Sequence, residues 1–148
     1  ALRLFRDDSK GYILSFGDSD ICEKISEVAE KRGYSHKRVS TAAEAKDILN
    51  KNDVEIIFCD LHTGKRNENS RVLNIEDVDS ESREFFKFAC GNTDVPIYVL
   101  ADERHKYSEE EKFSLIKEGA RGLVDVSVAD TLDSTISDII LQIHHQQL

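Results

Sequence analysis

Short apolar runs alternate with stretches of helical periodicity along most of this chain, and that alternation leaves few folds open. The clearest run is Val54-Glu55-Ile56-Ile57-Phe58-Cys59-Asp60, nearly all apolar and stopped by a carboxylate. It is too short for an ordinary helix and is flanked by polar residues, so it reads as a strand buried on both faces. Tyr12 to Phe16, Val95 to Ala101 and Gly122 to Val126 read the same way, and the polar stretch Tyr34 to Val39 suits a sheet edge. The lone Pro96 stands near a strand start, where a missing donor matters least.

Between the strands, apolar residues recur at helical spacing. They are Ile21, Ile25, Val28 and Ala29 in the first helix, and Ala45, Ile48 and Leu49 in the second. The third, about residues 80–90, carries Phe85, Phe86, Phe88 and Ala89; the fourth carries Phe113, Ile116 and Ala120. The fifth, about 129–145, has Leu132, Ile136, Ile139, Ile140 and Ile143 on one face. Thr41 with Glu44 and Ser108 with Glu111 form capping boxes, Asp20 with Glu23 makes a cap variant, and Gly33 stops the first helix.

Five strand–helix units predict an α/β, flavodoxin-like (βα)5 three-layer sandwich with right-handed crossovers and a parallel sheet of order 2-1-3-4-5. Such a sheet places its chemistry at the carboxyl ends of the strands, where strands one and three diverge. Asp18 and Asp60 are expected to meet there. Residues 1–10 form a charged lead-in; 11–148 form the domain, with an inserted charged loop at about 64–79. The 148 residues suit a single core.

Charge narrows the function classes. Acidic residues number 29 against 20 basic ones, for a formal charge of -9, which repels nucleic acid. Three cysteines at wide spacing, with no CxxC, argue against a disulfide framework or a zinc site and for a reducing cytoplasm. No apolar run approaches the roughly 20 residues that span a bilayer. The chain opens at Ala1 and holds no Met, as a piece of a longer protein would.

An acid ending the third strand, the run Val95 to Ala101, and the phrase Gly119-Ala120-Arg121-Gly122-Leu123-Val124 together resemble the receiver domain of two-component response regulators, over about residues 11–147. The resemblance implies that Asp60 is the candidate phosphoacceptor, fed by a histidine kinase. It also implies an acidic pair after strand one to hold Mg²⁺, a Thr or Ser ending strand four, and a Lys ending strand five. Ungapped matching puts Phe16 and Gly17 at the acidic pair, Ala101 at the hydroxyl and Val126 at the lysine. Leu123 stands where an aromatic switch residue is usual, Ser127 where a proline follows the lysine, and Gly64 where a proline follows the phosphoacceptor. Of the acids at or just past the strand ends, Asp18, Asp20, Asp60, Asp102 and Asp125, a Mg²⁺ ion would then rest on Asp18 and Asp60.

Phosphoryl transfer is catalysed by positioning and by neutralising charge on three oxygens. One absent electrostatic donor costs on the order of 10²–10³ in rate. The sequence therefore points to a pseudo-receiver: no enzyme, no cofactor, and Asp60 a carboxylate that caps the fold. Such a domain works by binding a partner protein or output domain, or by dimerising through the face of helix four, strand five and helix five. Two alternatives stand beside it, a phosphorylatable receiver using Asp60 and Mg²⁺, and a receiver-like N-terminal wing of a larger enzyme. His62, and the Lys65, Arg66 and Arg71 cluster, read as loop residues; His144 and His145 read as a frayed helix end.

Overall fold

The computed structural model describes residues 11–17, 19–51, 53–61, 80–101, 107–125 and 129–146. The lead-in 1–10, the loop 64–79, and Asp18, His62, Asp102 and Val126 lie outside the described residues. The elements run β1 Tyr12–Phe16, α1 Ser19–Lys31, β2 Ser35–Val39, α2 Ala42–Lys51, β3 Val54–Cys59, α3 Ser80–Asn92, β4 Ile97–Ala101, α4 Glu109–Glu118, β5 Gly122–Asp125 and α5 Ala129–Gln146. The strands form one parallel sheet in the order β2-β1-β3-β4-β5, as the alternation predicts.

Side-chain alternation along each strand feeds two cores. Ile13, Ile56, Phe58, Leu100 and Val124 pack with Ile25, Val28 and Ala29 of α1 and Leu132, Ile136 and Ile140 of α5. Leu14, Phe16, Ile57, Cys59 and Val99 pack on the other face with Ala42 and Ala45 of α2, Phe85, Phe86 and Ala89 of α3, and Leu115 of α4. Each fully buried Ile, Leu or Phe contributes about 1.5–3 kcal/mol of transfer free energy. The sheet is apolar on both faces because both are covered.

Helix ends follow local chemistry. Gly33 ends α1 at φ 87°. At α4 the capping box is complete: Ser108 accepts from the Glu111 N–H at 3.1 Å, and Glu111 accepts from the Ser108 N–H at 2.8 Å. At α2 the Glu44 N–H donates to Thr41 at 3.2 Å, but the Glu44 carboxylate reaches the Ser40 N–H rather than that of Thr41. The α1 helix begins at Ser19, one residue before the expected cap Asp20.

The fourth helix corrects the sequence reading. Phe113 and Ile116, expected in its buried stripe, are 65% and 49% exposed, while Leu115 and Ala120 are buried. A single leucine anchors α4 to the sheet. Its seven polar or charged residues among ten gave no unambiguous stripe, so the aromatic Phe113 drew the assignment.

Candidate functional site

The carboxyl ends of β1, β3, β4 and β5 lie side by side, with Phe16 paired to Cys59 and Ala101 paired to Asp125. Asp60 follows β3 directly. Its backbone N–H donates to the Phe16 carbonyl at 2.8 Å, which fixes it beside the end of β1. The residue is fully buried, at 0% exposure. Beneath it, the Cys59 thiol contacts the Ser82 carbonyl in the first turn of α3 at 3.8 Å. Asp60 thus stands at the sequence-expected place.

The neighbouring groups differ from what metal-assisted phosphoryl transfer needs. Phe16 is buried and stacks on Phe85 of α3, ring centroids 5.9 Å apart and planes 19° from parallel. That turns the residue at the end of β1 into the layer of α2, α3 and α4. Gly17 brings no side chain. Ala101, half-buried, ends β4 with a methyl group where a hydroxyl would serve. Leu123 pairs with Val99 and packs against the α2–α4 core.

A Mg²⁺ ion asks for a near-octahedral shell of oxygens, mostly carboxylates and waters. The described residues do not provide it. Among the described residues, the end of β1 offers two backbone carbonyls, each already accepting one hydrogen bond: Phe16 from the Asp60 N–H, and Gly17 from Arg38 Nε at 3.0 Å. A guanidinium held there opposes a second cation. Among the described residues, no group of three or more His, Cys, Asp or Glu side chains is placed to share a metal. The expected meeting of Asp18 with Asp60, and the Val126 position, lie outside the described residues.

Three features escaped sequence reading. Arg38 on β2 reaches the end of β1, a contact set by strand register. Ser15, fully buried in β1, hydrogen-bonds to His36 Nε2 of β2 at 2.8 Å. Burial there holds the imidazole pKa down to about 4, so the ring is neutral at pH 7. The third is the ring pair, since Phe85 meets Phe16 across 69 residues of sequence (85 minus 16). No periodicity signals such a pair.

No protein-family model and no curated protein sequence matches the chain. Solved structures do. The receiver domain of response regulator 1452 from Francisella aligns with 88% of this chain and 96% of its own, at 16% identity and a TM-score of 0.62. A two-component response regulator from Clostridium difficile aligns over 89% of this chain and 96% of its own, at 16% identity and a TM-score of 0.65. NtrX from Brucella abortus aligns with 93% of this chain over 28% of its own length, at 15% identity and a TM-score of 0.65. The fold is that of response-regulator receiver domains.

Proposed function

We propose that this chain is a signalling module of receiver fold that works by binding protein, with Asp60 retained as a structural carboxylate rather than a phosphoacceptor. The observation that carries this reading is the buried Phe16–Phe85 stack at the end of β1, next to Asp60. A phosphoryl group on Asp60 would need neutralising partners on several oxygens. Phe16 and Gly17 carry no carboxylate to hold a neutralising cation, and Ala101 carries no hydroxyl to donate; one missing donor costs on the order of 10²–10³ in rate. In this reading the domain catalyses nothing, needs no cofactor and works in the reducing cytoplasm that its three free cysteines suit.

The binding surface is the face of α4, β5 and α5. Arg83 of α3 holds Glu118 of α4 through both carboxylate oxygens at 3.0 Å, so that flank of α4 faces α3. At about 100° per residue Ile116 and Phe113 lie on the flank opposite Glu118, and both are exposed. Two exposed apolar side chains three residues apart form a strip, where one alone would mean little. An output domain or a second copy of the chain covers it. NtrX, whose length runs far beyond the matched part, supports an output domain in the same polypeptide.

Two measurements test the reading. After incubation with acetyl phosphate and Mg²⁺, the intact mass stays unchanged; a phosphoryl adduct that disappears in Asp60→Asn overturns it. Phe113→Glu, at an exposed position, keeps stability within about 0.5 kcal/mol. It also abolishes self-association in sedimentation, or binding to the output domain. Unchanged association in that variant removes the α4 face from the proposal.

A further inference from the structure

A second surface, independent of the α4 strip, lies at the other edge of the sheet. We propose that the outer edge of β2 is a docking strand for an extended acidic segment of a partner protein. Among the described residues, β2 is the terminal strand and pairs only with β1. The Ser35 N–H donates to the Gly11 carbonyl at 3.0 Å, so Ser35, Lys37 and Val39 turn their backbone groups inward. His36 and Arg38 therefore turn theirs outward, offering alternate donors and acceptors to an added strand.

The side chains specify what such a strand carries. Between positions 31 and 38 stand Lys31, Arg32, Lys37 and Arg38 and no acid, in a chain of formal charge -9. Lys31 is tied to Asp133 at 3.7 Å. Among the described residues, Arg32, Lys37 and Arg38 make no ion pair with a carboxylate. Two of them are nonetheless held in place. Lys37 Nζ sits 5.3 Å from the Tyr12 ring centroid, and Arg38 Nε is fixed on Gly17. Because adjacent strand residues point to opposite faces, Lys37 and Arg38 flank the edge from both sides of the sheet.

Charge on an open edge also guards against aggregation, since a neutral or basic strand gains nothing by pairing there. Pairing with the β2 of a second copy would set like charges face to face. Neither argument bars an acidic strand, for which the same cations become attraction. A guard alone predicts no binding at all, so the two roles separate in solution.

The probe is a fluorescent, extended peptide of about ten residues alternating Glu and Val, titrated into the whole chain and followed by anisotropy at low and moderate salt. The chain binds it in preference to the Lys/Val counterpart. Lys37→Glu with Arg38→Glu weakens binding at least about tenfold. Lys87→Glu, a single reversal on α3, leaves it unchanged. Methylating alternate backbone nitrogens of the peptide abolishes binding while keeping its charge, as strand pairing requires. Equal binding of both peptides, equal loss at position 87, or full binding of the methylated peptide overturns the proposal. So does an equal affinity for a single-stranded oligonucleotide, which would make the edge a general polyanion site.

Discussion

Truncating Phe16 to alanine tests the physical basis of the functional reading. The ring is fully buried and stacked at 5.9 Å on Phe85, itself fully buried. Removing a buried phenylalanine costs about 3–5 kcal/mol through lost transfer energy and the cavity left behind. A domain of this size has about 5–15 kcal/mol in total, so the variant loses a large share of its stability while remaining folded in the cold. Phe85→Ala costs a similar amount. Because the rings touch, the double variant loses less than the sum of the two, by about 0.5–1.5 kcal/mol of coupling. Urea unfolding followed by circular dichroism, at constant m, reads all four corners of the cycle. A loss below about 1 kcal/mol for Phe16→Ala would refute the reasoning. It would mean that the position tolerates an open, hydrated crevice like one built for an ion. Coupling near zero would mean two independent core residues and no plug of paired rings beside Asp60.

Two further predictions concern stability. His36 has a folded pKa of about 4 against 6.5 for the exposed ring, so between those values the unfolded chain binds the extra proton. Acidification from pH 6.5 toward 4 therefore destabilises the fold, and the contribution is constant above pH 6.5. At about 1.4 kcal/mol per unit, and with the shift discounted for a partly solvated edge, about 1–2 kcal/mol is lost. His36→Gln flattens that part of a stability–pH curve from thermal melts. Gly119 closes α4 at φ 137°, and a Cβ there would come within 2.8 Å of the Cys90 thiol sulfur. Gly119→Ala thus costs about 1–3 kcal/mol in urea unfolding, where a replacement at the nearby open Gly91 does not.

Much of the sheet was legible because burial on both faces leaves unbroken apolar runs, and Ile56-Ile57-Phe58 admits few other assignments. The place of Asp60 was legible for the same reason: a carboxylate ending such a run must surface at a strand end. The partners of Asp60 were not. Phe16 was recognisable as a departure from an acid, yet nothing local tells that its ring turns toward α3 to meet Phe85. Arg38 and His36 were read as edge residues, and their contacts with Gly17 and Ser15 depend on the β1–β2 register. In α4 the cap and Ala120 were legible, but the buried stripe was not: Leu115 faces the sheet, while Phe113 and Ile116 face water.

These outcomes share a cause. The (βα)5 fold is specified by apolar residues spread over ten elements, whereas phosphoryl chemistry would depend on a few residues at the strand ends. Acids crowded at such an end repel one another until a cation joins them, so they tax the fold that carries them. In the proposed reading, a phenylalanine at the first of these positions puts a buried ring in place of that repulsion, which favours the sheet and disfavours the chemistry together. On that reading the outer surfaces, the proposed α4 strip and the proposed basic edge at β2, are the parts of the molecule that carry information.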